Sequence, residues 1–251
     1  MNISDQELQI FSRQLILKEF DENKFNFIQK QHVIIIGMGG VGCPLSQYLL
    51  TSGIKNLTLI DDDKVHITNL NRQILYTHDD LGKNKVEISK KKLANINPHC
   101  SIKTISKKID EKNIKTYLKN SSIIVDATDN WKSMDIINKF CVNQSIPLVS
   151  TSVIGFDGQV ILFKNSKNSH LCLNCIYPIN KEPNLPRCDL VGVLGIAAGL
   201  TGLIAAQSII NFLINKNNLN TKLLMINSKT MKIDHIKVKR NNNCINIPEK
   251  N

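Results

Sequence analysis

Residues 33–42 read Val-Ile-Ile-Ile-Gly-Met-Gly-Gly-Val-Gly, an apolar run followed by a G-x-G-x-x-G spacing. The β-branched run at 33–36 is typical of a parallel strand that is buried on both faces. Gly37 permits a tight turn, Gly39 lets a phosphate approach the backbone, and Gly42 lets the next helix pack on the strand. The N–H groups at the start of that helix can bind an anion. The stretch therefore predicts a nucleotide site.

A carboxylate follows the next apolar run in the chain. Asp61 ends the run at 57–60, about twenty residues beyond the glycines, where an acidic side chain can bind ribose hydroxyls. From there, strands and helices alternate. This pattern predicts an α/β fold, a Rossmann-like doubly wound and mainly parallel sheet. Ligands of such sheets bind at the carboxyl ends of strands, where Asp61 and Asp129 both fall.

The predicted elements can be given by residue. The strands are at 33–36, 57–60, 102–105, 123–126, 148–153, 158–163, 223–226 and 231–238, and the helices at 4–20, 41–52, 83–95, 113–118, 134–142 and 192–214. Ser4 and Glu7 form a capping box for the first helix, whose apolar stripe is Leu8, Phe11, Leu15 and Ile16. The last helix is interpreted as a buried helix that packs closely, and the last strands as an antiparallel extension.

We interpret the chain as a single domain over residues 1–251. It comprises an N-terminal helical arm at 1–30, a nucleotide-binding core at 31–155 and a second half at 156–251. The second half contains a crossover loop at 165–190, where no periodicity is evident. A loop of this length is usually functional or mobile.

Composition excludes several classes of protein. The net charge is +11 over 251 residues, but it comes mainly from lysines spread along the chain without interleaved aromatics. We therefore predict no nucleic-acid partner. Seven cysteines is an odd number, and neither a signal peptide nor an apolar run as long as a membrane span is evident. We expect a cytoplasmic protein with reduced thiols and no membrane partner.

Several motifs together resemble the ThiF/MoeB/HesA family, the bacterial relatives of the ubiquitin-activating enzymes. They are the glycine motif at 37–42, Asn-Leu-Asn-Arg-Gln at 69–73 within the stretch 61–75, Asp-Ala-Thr-Asp-Asn at 126–130, Lys85, Cys-x-x-Cys at 172–175 and Cys188. The resemblance covers nearly the whole chain and is greatest to the ThiF branch. It implies ATP-dependent adenylation of the C-terminal glycine of the sulfur carrier ThiS, a ubiquitin-like protein ending in Gly-Gly, in thiamine thiazole biosynthesis. Pyrophosphate is the leaving group.

The resemblance also implies roles for individual residues. Arg72 and Lys85 would bind phosphate oxygens, Asp61 the ribose, and Asp129 a substrate-associated Mg²⁺. The implied nucleotide-binding set is Gly37, Gly39, Gly40, Gly42, Asp61, Asn69, Arg72, Gln73, Lys85, Asp129 and Asn130. An arginine matching Arg13 reaches the ATP site of the partner in the homodimers of this family. The second half at 156–251 is interpreted as the half that binds the carrier and forms the dimer. From the sequence alone, Asp129 could instead cap the helix that follows it.

The cysteines carry two further expectations. Cys188 matches a cysteine of the family that forms a sulfur link to the carrier, with a cysteine desulfurase or rhodanese-like protein as a possible sulfur donor; a structural thiol is the alternative. Cys172 and Cys175 have zinc-ligand spacing and Cys244 supplies a third thiol, but Ile247 stands where the family has a fourth cysteine. Either His170 or His235 completes the Zn²⁺ site, or zinc binding has been weakened.

Three other functions remain open at this point. One is the same adenylation directed at the small subunit of molybdopterin synthase. A NAD-dependent dehydrogenase would share the fold, but the loop at 69–73 and Lys85 argue against it. A scaffold that binds the carrier without activating it would not need the residues that face the phosphates.

Overall fold

The computed structural model describes residues 3–165, 171–178, 191–215, 221–241 and 244. Its strands are β1 His32–Ile36, β2 Asn56–Ile60, β3 Ser101–Ile105, β4 Ile123–Asp126, β5 Leu148–Ile154, β6 Asp157–Phe163, β7 Lys222–Asn227 and β8 Lys232–Lys237. They form one sheet in the order β3-β2-β1-β4-β5-β6-β7-β8. Pairs from β3 to β5 are parallel, and pairs from β5 to β8 are antiparallel. The predicted fold class, a mainly parallel doubly wound sheet with an antiparallel extension, is confirmed.

The described helices follow the predicted order with two additions. They are α1 Asp5–Leu15, α2 Glu22–Gln29, α3 Gly42–Thr51, α4 Lys85–Ile96, α5 Ile114–Tyr117, α6 Trp131–Gln144, α7 Leu173–Ile176 and α8 Gly195–Ile214. The additions are α2, of 8 residues, and α7, of 4 residues within the predicted crossover loop. The capping box of Ser4 and Glu7 is confirmed at the start of α1. Gly53, at φ +105°, follows the end of α3 as the sequence indicates.

The central strand β1 is buried on both faces, as its β-branched run predicts. Side chains alternate across a strand, so Val33 and Ile35 join one apolar core while Ile34 and Ile36 join the other. The first core lies against α2, α3 and α8, and the second against α5, α6 and α7. This two-sided cover fixes the strand, and therefore the glycine turn at its carboxyl end.

The N-terminal arm differs from its prediction. Helix α1 ends at Leu15 rather than near residue 20, and of its stripe only Phe11 is fully buried. Leu8 and Ile16 are 42% and 74% exposed, so the described part of the chain does not cover this part of the stripe. Phe11 instead packs on Phe25 of α2, with ring centroids 4.7 Å apart. The short α2 supplies the apolar surface that a longer α1 was expected to supply.

Helix α8 is the most apolar helix, and small residues let it pack closely. A Cβ added to Gly202 would lie 2.6 Å from the carbonyl oxygen of Val41, and one added to Gly158 of β6 would lie 2.0 Å from Thr201 Oγ1. By length and composition α8 could cross a membrane, but 56% of its apolar window is buried within the molecule. Core helices of soluble proteins pass the same test, so the packing agrees with the predicted buried helix.

Strand β8 forms one end of the sheet. All six of its residues are exposed, including Ile233 and Ile236 at 45% each. Among the described strands it pairs with β7 alone. Lysines stand at both of its ends, at Lys232 and Lys237. The strand therefore has no buried face.

Candidate functional site

The glycine turn after β1 is fixed by close backbone packing. Gly37 has φ +97°, and an added Cβ would lie 2.4 Å from the carbonyl oxygen of Ala127 at the end of β4. A Cβ on Gly42 would lie 2.0 Å from the carbonyl oxygen of Gly37. Neither position can hold another residue without moving backbone, so the turn requires glycine at both. Gly39 is less constrained, because its added Cβ would meet Gln73 Nε2 at 3.7 Å.

Asp61 holds the turn from the carboxyl end of β2. Its Oδ2 accepts a hydrogen bond from the Met38 N–H at 2.6 Å, and its Oδ1 accepts one from the Asp63 N–H at 2.8 Å. Burial raises the pKa of the Asp61 carboxyl above its ordinary value, although Lys85 and the two N–H groups act in the opposite direction. The predicted ribose ligand thus lies beside the turn and also orders it.

The loop at 69–73 is built from consecutive turns. The carbonyl oxygen of Asn69 accepts from the N–H groups of Arg72 and Gln73, at 3.1 and 2.9 Å. Arg72 Nη1 donates to the carbonyl oxygen of Thr68 at 2.8 Å and to Asn71 Oδ1 at 3.1 Å. A Cβ on Gly40 would lie 3.4 Å from Arg72 Cγ, so this loop packs directly on the glycine turn.

Two buried polar groups face this region. Lys85, at the start of α4, is 5% exposed, and its Nζ lies 2.8 Å from Oδ2 of Asp63, whose side chain is 68% exposed. Gln73 is 4% exposed, and within the described chain its Oε1 has no hydrogen-bond partner. A bound ligand can satisfy both groups. One is the buried Lys85 ammonium, whose partner is exposed, and the other is the unpaired amide oxygen of Gln73.

The carboxyl end of β4 carries the second acidic site. Asp126 is fully buried, and its Oδ1 accepts from the N–H and hydroxyl of Thr128 at 3.1 and 2.7 Å. Its Oδ2 has no partner within the described chain. Burial, with a smaller contribution from Asp129, raises the pKa of Asp126 to about 6. Asn130 Oδ1 caps α6 by accepting from the Ser133 N–H at 2.9 Å, so the exposed Asp129 is not the cap.

Arg13 does not reach this site within the described part of one chain. It is exposed in the last turn of α1. Its neighbour Gln14 donates to the carbonyl oxygen of Thr51, at the far end of α3 from the glycine turn. A ten-residue helix spans about 15 Å. The glycines, Asp61, the 69–73 loop and Lys85 therefore converge, whereas Arg13 stands apart.

A second cluster contains three thiols. The sulfur atoms of Cys172, Cys175 and Cys244 all lie within 4.8 Å of one another, and those of Cys172 and Cys244 are 3.6 Å apart. Burial alone would raise the pKa of Cys175, but hydrogen bonds from Asn241, Cys172 and Cys244 lower it. Among the described residues, His235 is not a member of the cluster. The thiols form a set suited to a soft metal ion.

The other cysteines are divided between packing positions and the part of the chain outside the description. Cys43 and Cys141 are buried, and burial raises the pKa of Cys43 to about 12. Buried thiols of this kind act as small apolar packing groups. The predictions for Cys188 and His170, and most of the crossover loop at 165–190, lie outside the described residues.

Sequence reasoning assigned no role to three residues at this site: Tyr76, Asp63 and Asp126. Tyr76 donates from its hydroxyl to the carbonyl oxygen of Met38 at 2.8 Å. Asp63 pairs with Lys85, and Asp126 brings a buried oxygen to the strand end. The position of Asp126 at the end of a predicted strand was an available signal. Nothing in the local sequence indicates the other two contacts.

Comparisons with known proteins give a family and a fold for the chain. The ThiF family profile matches residues 11–246. The chain is 32% identical over 243 residues to the molybdopterin-synthase adenylyltransferase of Salmonella typhimurium, covering 96% of this chain and 97% of that protein. It is 29% identical over 242 residues to the sulfur carrier protein ThiS adenylyltransferase of Escherichia coli, covering 96% of each. A crystal structure of Escherichia coli MccB with ATP superposes with a TM-score of 0.81 at 25% identity, covering 97% of this chain and 75% of that one.

Proposed function

The chain belongs to the ThiF family, and from this premise we propose that it is an adenylyltransferase that activates a ubiquitin-like sulfur carrier with ATP. A carboxylate oxygen of the carrier's C-terminal glycine attacks the α-phosphorus, a new P–O bond forms, and the bond to pyrophosphate breaks. The convergence of Asp61, the Arg72 loop and Lys85 on one glycine turn carries the proposal. These are the groups that positioning and neutralisation of a triphosphate require.

Lys85 and Arg72 are suited to the phosphates for different reasons. Lys85 is buried, so its charge is only weakly screened, and its partner Asp63 is exposed enough to be displaced by a more highly charged phosphate. The two hydrogen bonds of Arg72 described above both come from Nη1. The rest of its planar fork can bind two oxygens of a phosphate.

We propose that Asp129 holds the Mg²⁺ that accompanies ATP. Asn130 caps α6 in its place, so the Asp129 carboxylate is available, and the Oδ2 of Asp126 is an additional unpaired oxygen at the same strand end. Magnesium accepts one or two carboxylates together with substrate phosphates. The ion, when bound, supplies further neutralisation of phosphate charge.

We propose a homodimer in which Arg13 contributes to the partner's site. The separation of α1 from the glycine turn of its own chain supports a contribution in trans. Exposed apolar side chains near the site provide a surface for a second copy. They are Ile67, Ile74, Phe156, Leu194 and Ile196.

The carrier is ThiS in our proposal, because the stretch at 61–75 resembles the ThiF branch most closely. The small subunit of molybdopterin synthase is the second candidate, favoured by the 32% identity to a molybdopterin-synthase adenylyltransferase against 29% for the ThiS enzyme. Both candidates undergo the same chemistry at a C-terminal glycine.

We also propose that Cys172, Cys175 and Cys244 hold Zn²⁺, which prefers thiolate ligands in a tetrahedral set. Among the described residues no further His, Cys, Asp or Glu joins these three thiols, so the fourth ligand is sought outside the described part of the chain. Cys188 is proposed to take part in sulfur transfer after adenylation, not in adenylation itself, with a cysteine desulfurase or rhodanese-like protein as sulfur donor.

The decisive experiment is ATP–pyrophosphate exchange with each of the two carriers in turn. We expect exchange with ThiS, and loss of exchange in folded Arg72→Ala and Asp129→Ala variants. Lys91→Ala removes an exposed charge on α4 and serves as the matched control with normal exchange. Cys188→Ala should keep exchange and lose sulfur transfer.

Each other result has a definite meaning. Exchange with the molybdopterin carrier alone would move the same mechanism to that pathway. ATP binding without exchange for either carrier would favour a scaffold, and binding of NADH instead of ATP would favour a dehydrogenase. Normal exchange in Arg72→Ala or Asp129→Ala would remove that residue from the site.

A further inference from the structure

Tyr76 links the glycine turn to the helix that bears Lys85. It is 5% exposed, and its hydroxyl lies 2.8 Å from the carbonyl oxygen of Met38, 3.0 Å from Ser89 Oγ and 3.5 Å from the carbonyl oxygen of Lys85. A phenol has a single proton to donate. The shortest of these contacts assigns that proton to Met38, so the Tyr76 oxygen accepts from the Ser89 hydroxyl.

Met38 is consequently held on both sides of its α-carbon. Its N–H donates to Asp61 at 2.6 Å, and its carbonyl oxygen accepts from Tyr76. The peptide bond is planar and trans, so the carbonyl of Met38 and the N–H of Gly39 point in opposite directions. A hydrogen bond that pulls the Met38 carbonyl into the core therefore directs the Gly39 N–H away from it.

The same hydroxyl also sets the position of α4. Lys85 and Ser89 are four residues apart on that helix, so both lie on the face that meets Tyr76. The glycine turn and the helix that bears Lys85 are thus joined through one oxygen atom. Burial raises the pKa of Tyr76, so the phenol remains a neutral donor at physiological pH.

We propose that Tyr76 is a positioning residue of the nucleotide site, whose hydroxyl aims the Gly39 N–H at the phosphates and fixes the turn against the Lys85 helix. The inference rests on the proposed ATP site and adds to it a residue that does not touch the nucleotide. The donor matters because Met38 is fully buried, and without it the Met38 carbonyl keeps only the weak thiol donor of Cys43, 3.5 Å away, to hold its peptide.

The test compares the affinity of Tyr76→Phe for ATP and for adenosine, measured by calorimetry on the full chain with Mg²⁺. Phenylalanine keeps the ring in the core and removes the hydrogen bond. We expect ATP binding to weaken about tenfold, adenosine binding to stay unchanged, and kcat for exchange to fall, since loss of one buried hydrogen bond is on this scale. Tyr48→Phe, at a tyrosine that is 54% exposed on α3, is the matched control.

A second variant covers the case in which Tyr76→Phe does not fold. Ser89→Ala removes the hydroxyl that orients the phenol and leaves Tyr76 in place. It should weaken ATP binding by about two- to threefold, again with adenosine unaffected.

The outcomes separate this inference from the proposed function. Equal losses for ATP and adenosine, or wild-type ATP affinity in folded Tyr76→Phe, would overturn the positioning role. If Tyr76→Phe keeps wild-type ATP affinity while Arg72→Ala still weakens ATP binding, the proposed site stands without Tyr76. A wild-type chain that binds no ATP would overturn the proposed function, and this inference with it.

Discussion

The parallel and antiparallel halves of the sheet hold their functional groups by different means. In the parallel half, backbone atoms fix the site, with Gly37 against Ala127 and Gly42 against Gly37. In the antiparallel half, three thiols from two segments meet, Cys172 and Cys175 with Cys244, and the position three residues beyond Cys244 is Ile247 rather than a cysteine.

The difference indicates how each half responds to sequence change. A site made by backbone packing tolerates many substitutions and is broken by any atom added at a few glycines. A site made by a set of side chains loses a ligand with one substitution. This contrast explains how the nucleotide motifs can be complete in a chain whose cysteine set is short by one.

The largest expected effect comes from Gly42→Ala, which tests the backbone half directly. The added Cβ would lie 2.0 Å from a carbonyl oxygen, so we expect a loss of about 3 kcal/mol or more in the free energy of unfolding, together with loss of ATP binding. Gly199→Ala is the control, because nothing lies within 4 Å of its added Cβ. It should stabilise α8 by about 0.5–1 kcal/mol. Urea denaturation measures both, and a Gly42→Ala variant as stable as wild type would refute the packing argument.

The second prediction concerns the buried charge of the parallel half. Folding raises the pKa of Asp126 from 3.8 to about 6, so the folded state binds this proton more tightly than the unfolded state. The stabilisation is complete below about pH 4 and is lost as the pH rises through 6, by at most about 3 kcal/mol. Without Mg²⁺, stability should fall over that window, and Asp126→Asn should flatten the curve.

An opposing titration must be separated from that of Asp126. Burial alone would raise the pKa of Glu7, but hydrogen bonds from Lys55, Ser4 and Gln29 lower it to about 2. Its contribution is present above about pH 4.5 and is lost as the pH falls towards 2. The difference between wild type and Asp126→Asn cancels it. If that difference does not change between pH 4 and 7, Asp126 is not a buried titrating group.

The third and smallest effect belongs to the antiparallel half. Removal of zinc by a chelator should cost about 2.7 kcal/mol if the free metal stood at one hundred times its dissociation constant. ATP affinity should be unchanged, because the glycine turn does not depend on the thiols. Cys172→Ser should make the melting temperature insensitive to the chelator. An equal response of ATP binding and melting temperature would show that the two halves are coupled.

Local physical rules explain which elements could be predicted from the sequence. The capping box at Ser4, the end of α3 at Gly53 and the buried run of β1 depend on neighbouring residues alone, and they stand as predicted. Helix α2 was missed because eight residues hold too few apolar positions to show a period. The exposure of Leu8 and Ile16 could not be predicted, because the period of a stripe does not say whether a partner covers it.

The residues of the candidate site also fall into two groups, those that the sequence predicts and those whose contacts only the structure shows. The glycines and Asp61 follow from a motif with known spacing, and Arg72 and Lys85 follow from the resemblance to the ThiF/MoeB/HesA family. The bond between Tyr76 and Met38 joins residues 38 positions apart, and that between Lys85 and Asp63 spans 22. No periodicity connects such pairs. The choice between Asp129 and Asn130 as helix cap also required coordinates, because both residue types cap helices equally well.

The exposed edge at β8 has a consequence for the behaviour of the protein in concentrated solution. An outer strand presents unpaired N–H and C=O groups to which the edge of another molecule can add, and exposed isoleucines favour that addition. Lys237 places like charges where two such edges would meet, and Lys232 pairs with Asp234 of the same strand at 2.9 Å. The Lys237 ammonium therefore opposes edge-to-edge addition, and neutralising it would promote fibrous or amorphous association while leaving the glycine turn intact.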